Sequence, residues 1–112
     1  MRKHKRAHLI EYLEVLDRDT GLHIGHLADI SPQGIMVVSK KTISLNRDFS
    51  FQLLLPETAT DRKEINFQAR CLWCKEDFNP DFYVSGFHIS EIAAHEIEII
   101  KDLIKSHGFK SR

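Results

Sequence analysis

Two groups of residues in this chain have the types and spacing to grip a ligand. The first is Arg2-x-x-x-Arg6. Residues four apart share a side in an extended or a helical segment, so both guanidinium groups can converge on one target. The planar arginine fork pairs bidentately with phosphate oxygens and with the O6 and N7 edge of guanine, and it stacks on purine faces. Taken alone, a basic N-terminal run reads most simply as a solvated tail or a nonspecific nucleic-acid contact. The second group is Asp29-Ile30-Ser31-Pro32-Gln33-Gly34. As a strand-to-strand turn it has Asp29 and Ser31 capping backbone N–H groups, Pro32 fixing one torsion and Gly34 in a conformation costly for other residues. The same residues present a carboxylate, a hydroxyl and an uncluttered backbone to one spot, and a carboxylate complements the N1 and N2 donors of guanine.

Other constellations carry less. Cys71-Leu72-Trp73-Cys74 is a C-x-x-C string, but strand alternation sends residues three apart to opposite faces and no second Cys or His pair completes a metal site. Cys71 is therefore read as core, facing inward with Phe67, Ala69 and Trp73, with Cys74 outside. For Trp73 a place at the barrel rim beside a ligand is the alternative. The same alternation separates His23 from His26, and His4 and His8, flanking the basic arm, read most plainly as exposed side chains, with an approach to a ligand as the alternative. There is no Ser/His/Asp order, carboxylate pair or phosphate-cradling glycine loop, so neither catalytic residues nor a metal or cofactor is expected.

The elements that position these residues follow from hydrophobic periodicity. The segment from Leu9 to Leu16 fits a helical face through Leu9, Leu13 and Leu16, or a strand through Tyr12 and Val15 running into the Asp17 to Gly21 turn. Strands are expected over Leu22–Ile30, Ile35–Val38, Phe49–Leu55, Ile65–Trp73 and Phe82–Ile89, with Glu57 to Glu64 an exposed loop. Gly86 inside the last strand signals a bulge or a close backbone approach. The period then changes from two to about 3.6: Ile92, Glu96, Ile99, Ile100, Leu103 and Ile104 form one stripe, with Ser90 as N-cap, Glu91 in the first turn and Gly108 at the end. The expected fold is mainly β, a six-stranded antiparallel barrel with a C-terminal helix over about residues 91–107.

Together the two motifs resemble the PilZ family, whose signature is R-x-x-x-R followed by [D/N]-x-S-x-x-G. Arg2 and Arg6, then Asp29, Ser31 and Gly34, complete both halves. Thr20-Gly21, the Trp73 strand and Gly86-Phe87-His88-Ile89 also fall where such domains carry comparable residues. The resemblance implies a split barrel in which Leu9–Leu16 is the first strand. It also implies binding of the bacterial second messenger cyclic di-GMP, with Arg2 and Arg6 on one side of the ligand and Asp29, Ser31 and Gly34 on the other. Residues 1–8 would then be a flexible arm that wraps over the barrel when ligand arrives, residues 9–108 the barrel and helix, and 109–112 a tail.

Composition sets the outer limits. With 112 residues, 42% of them hydrophobic and 29% charged, the chain suits one globular domain rather than two or a disordered segment. No apolar run approaches the roughly 18–20 residues of a membrane span, the basic N-terminus lacks the apolar stretch of a secretion signal, and two cysteines are too few for a disulfide framework. A cytoplasmic location and no membrane insertion are expected. The net charge of zero, from 16 bases and 16 acids, hides a partition: Arg2 to Arg6 carries four positive charges and no acid. The chain thus reads as a stand-alone receptor that signals through an unidentified downstream protein or a ligand-induced homodimer. Alternatives are a ligand-independent adaptor of the same family and, further off, a nucleic-acid-binding small barrel. DNA binding is not expected, because no second basic stripe or interleaved aromatic surface is present.

Overall fold

The computed structural model describes residues 13–55 and 64–107. Arg2, His4, Arg6 and His8, the expected arm, the first part of the Leu9–Leu16 segment, most of the Glu57 to Glu64 loop, Gly108 and the tail lie outside the described residues. Six strands and one helix follow in chain order: β1 (Glu14–Asp17), β2 (His23–Ile30), β3 (Gly34–Ser39), β4 (Asp48–Leu54), β5 (Glu64–Glu76), β6 (Tyr83–Glu91) and α1 (Ala94–His107). The sheet closes on itself in the order β1-β2-β3-β6-β5-β4, and every neighbouring pair is antiparallel. Closure leaves no unpaired sheet edge, and it rests on the four-residue β1, which pairs with both β2 and β4.

Inward side chains fill the barrel as the alternation predicts. Val15, Leu27, Val37, Phe51, Leu53, Ile65, Ala69 and Cys71 are fully buried, and Phe51 packs edge-to-face on Phe67 and Phe87 with ring centroids 6.2 and 5.0 Å apart. The helix adds Ile100 and Leu103 to this core. It is fixed in place by a polar contact as well. Glu96 is 6% exposed, and its Oε2 accepts the Asn66 backbone N–H at 2.9 Å.

The helix begins later than the Ser90 cap predicts. Ser90 and Glu91 continue β6, and the helix starts at Ala94, the carbonyl of Ala93 accepting from the N–H groups of Glu96 and Ile97. The ladder outcompetes the side-chain cap, because Gln68 on β5 pairs with Glu91 and extends the sheet past the expected boundary.

The larger departures come from bulges, places where two residues on one strand oppose a single residue on its neighbour. Ile24 is the extra residue between β1 and β2, Ala28 between β2 and β3, and Leu72 between β5 and β6. Each reverses the alternation beyond it. His23 and His26 accordingly share a face, with rings 5.2 Å apart and His23 Nε2 3.4 Å from Glu14 Oε1, instead of lying on opposite faces. Among the described residues no group of three or more His, Cys, Asp or Glu side chains is placed to hold a metal.

Candidate functional site

The β2–β3 turn is built around Ser31. Its N–H donates to the Gly34 carbonyl at 2.9 Å and its Oγ accepts from the N–H groups of Gln33 and Gly34 at 3.3 and 3.2 Å. The residue is only 7% exposed, so its hydroxyl serves first to hold the turn, as the turn reading anticipates. Asp29 Oδ1 accepts from the Ile30 N–H at 2.9 Å. Gln33 anchors the turn to β6 through its carbonyl, which accepts the Ile89 N–H at 2.8 Å.

Gly34 is required for a reason other than the one its turn position suggests. Among the described glycines only Gly21 has a positive φ. At Gly34 the constraint is proximity: a Cβ there would lie 2.5 Å from the Phe87 backbone oxygen, so the β3–β6 pairing is as close as it is because no side chain intervenes.

Two bulges then aim the remaining residues. Leu27 opposite Val37 faces the core; regular alternation would send Asp29 inward as well. The extra residue Ala28 puts Asp29 opposite Met36 instead, on the outer face. On β5, Cys71 opposite Phe87 faces the core, and the extra residue Leu72 puts Trp73 opposite Gly86, again on the outer face. Met36 is itself opposite Gly86. Asp29, Met36, Gly86 and Trp73 therefore form one row across four adjacent strands, β2, β3, β6 and β5. Trp73 occupies the space that Gly86 leaves: a Cβ on Gly86 would fall 2.2 Å from its Nε1. Lys75 Nζ sits 5.3 Å from the Trp73 ring centroid, which adds a positive charge to the rim.

This row and the turn beside it line a cavity of about 240 Å³, whose walls include Asp29, Ser31, Gly34, Met36, Trp73 and Gly86. The structure thus brings together Asp29, Ser31 and Gly34, seats Trp73 beside them as its rim alternative has it, and adds Met36 and Gly86, which the sequence does not join to them. Of the two readings of Trp73, core or barrel rim, the structure has the rim: the side chain is 37% exposed there. Cys74, read as outward, lies opposite Ser85, two residues from Phe87 on β6, and so shares the inward face with Cys71. Burial, and then the neighbouring Cys74, push the Cys71 thiol above its usual pKa; a bond from its Sγ to the Trp73 carbonyl at 3.5 Å opposes this. The thiol is thus held protonated, as suits a packing group rather than a reactive one. One signal for the site was present in the sequence: a charged Asp29 at a position that strict alternation from Leu27 would bury.

A family model for the PilZ domain matches residues 1–106. The chain belongs to the PilZ family. PilZ domains are binding and adaptor modules, a family of cyclic di-GMP receptors rather than enzymes. Among solved structures, the Bacillus subtilis inhibitor of motility MotI/DgrA matches with a TM-score of 0.65 and 22% identity, over 79% of this chain and 42% of its own. That likeness is one of fold, and the chain spans less than half the length of that protein. No curated protein matches the chain. None of the described helices of this PilZ domain is long and apolar enough to cross a membrane.

Proposed function

We propose that this PilZ domain is a bacterial receptor for cyclic di-GMP, taking one guanine of the ligand into the cavity beside the Asp29–Gly34 turn. The observation that carries the reading is the outward row from Asp29 to Trp73, which two bulges assemble next to that turn. A carboxylate offers about four acceptor sites, so Asp29 can bond the guanine N1 and N2 donors while keeping its bond to Ile30. Ser31 holds the turn in shape, and Gly34 lets the ligand approach the backbone. At about 240 Å³ the cavity is smaller than the roughly 300–1,000 Å³ of sites that enclose a drug-sized ligand, so it suits a single base.

The rest of the ligand, two phosphates and a second guanine, then needs a cover. Arg2 and Arg6 supply it, their guanidinium groups pairing with phosphate and with the guanine O6 and N7 edge. Ordering those residues costs roughly 1–2 kcal/mol each, which a few bidentate contacts exceed. A micromolar complex corresponds to about −8 kcal/mol net. Output passes through a changed protein-binding surface, whether toward a downstream protein or a second copy of this chain.

Calorimetric titration with cyclic di-GMP is the test. Saturable heat is expected at micromolar concentration, with one or two nucleotides per chain read directly from the stoichiometry. Arg6→Ala should abolish it, and Asp29→Ala should weaken binding roughly 10- to 100-fold, as loss of charge-assisted hydrogen bonds does. An absence of heat at tens of micromolar would leave the chain as a ligand-independent adaptor.

A further inference from the structure

Beyond the cavity, β5 and β6 run on as a hairpin whose tip is Asp77 to Phe82. Three hydrogen bonds order this tip. The Asp77 N–H donates to the Phe82 carbonyl at 2.9 Å, the Phe82 N–H to the Asn79 carbonyl at 3.0 Å, and the Asp81 N–H to Asn79 Oδ1 at 3.0 Å. Pro80 further restricts the loop. This tip bears Phe78, 102% exposed, the most exposed large apolar side chain among the described residues. A fixed loop that holds a phenylalanine entirely in water is a preorganised anchor: binding would add contact without the cost of ordering the chain. Aromatic anchors of this kind, seated in a partner's pocket, carry most of the affinity of protein interfaces.

The charges around Phe78 define what would receive it. Glu76, Asp77 and Asp81 flank it with no intervening base, and none of the three carboxylates makes an ion pair among the described residues. Lys75, the nearest cation in sequence, is turned toward the Trp73 ring. Three acids on the same short loop as an exposed aromatic side chain repel nucleic acid and anionic lipid and are complementary to a basic protein surface. We propose that the β5–β6 tip is a protein-docking element whose Phe78 enters an apolar pocket bordered by lysine or arginine side chains on a second, different protein. The inference stands apart from the nucleotide reading, because Phe78 does not line the cavity.

The test places the photo-crosslinker p-benzoylphenylalanine at position 78 of the full chain in its native cells, with Asp102 on the exposed side of α1 as the control position, and maps the adduct by mass spectrometry. The expected product joins position 78 to a different protein at an apolar site flanked by Lys or Arg. With that protein purified, Phe78→Ser should weaken binding about 30-fold or more at an unchanged melting temperature, since the side chain touches nothing in its own fold. A variant combining Glu76→Gln, Asp77→Asn and Asp81→Asn should slow association and flatten its salt dependence. Adducts only with a second copy of this chain, with nucleic acid or with lipid would overturn the proposal. So would a yield no higher than at position 102, a mapped site without basic residues, or binding by the Phe78→Ser variant within twofold of the parent.

Discussion

Gly34 and Gly86 both stand where a methyl group would collide, yet replacing them should have different consequences. At Gly86 the obstacle is the Trp73 indole, a side chain at a partly exposed rim that can swing aside. At Gly34 it is the Phe87 carbonyl, part of the neighbouring strand's ladder, which can move only if β3 and β6 separate. Gly86→Ala is therefore expected to cost about 1 kcal/mol of stability in urea unfolding, while its nucleotide affinity falls much further. Gly34→Ala should cost nearer 3 kcal/mol, with binding lost along with the fold. Equal stability losses in the two variants would contradict the distinction. The need for small residues at both positions was legible in the sequence, Gly34 from its place in a turn motif and Gly86 from its place in a strand. The reasons were not, because a close approach depends on which strand becomes the neighbour, and that pairing is not local information.

The strands themselves were legible because one face of each is buried and the apolar period of two survives in most of them. What periodicity does not announce is a bulge. A single extra residue leaves the composition of a strand unchanged while exchanging its faces beyond that point. Cys74 and the His23–His26 pair depart from strict alternation for this one reason, and Trp73 owes its rim position and Asp29 its outward position to it. The same mechanism makes β5 unequal along its length. Deleting Leu72 removes the unpaired residue and leaves Cys71 opposite Phe87 and Trp73 opposite Gly86, so the variant should fold, with a melting temperature within several degrees of the parent by circular dichroism. Deleting Gln68, inside the regular stretch that faces β4, would turn Ile65 and Phe67 out of the core and should leave the chain unfolded. Helix α1 was legible from its stripe of Ile100 and Leu103, and its late start was not, since Glu91 pairs with Gln68 on β5 and carries Ser90 into the strand as a bulged residue.

For the molecule as a whole, the antiparallel barrel with one terminal helix follows from the order of periodic segments, and closure by the short β1 brings residue 13 next to β2, where the Leu13 carbonyl accepts the Leu27 N–H at 2.8 Å. A closed sheet around one core should unfold as a unit, so a ligand that binds only the folded state must raise the melting temperature of the entire domain. At 100 times its dissociation constant cyclic di-GMP would add about 2.7 kcal/mol, a shift of roughly 10 °C for a domain of this size. Differential scanning calorimetry should show that shift in the parent and none in Arg6→Ala. The placement of Trp73 has a further, practical meaning. It is the one tryptophan in the chain, and it stands at the cavity rim over Gly86, with Lys75 against its ring. The protein thus carries its own optical probe: emission excited at the red edge of indole absorption comes from a single point of the surface, and any change in its colour or its quenching by iodide reports on that cavity alone.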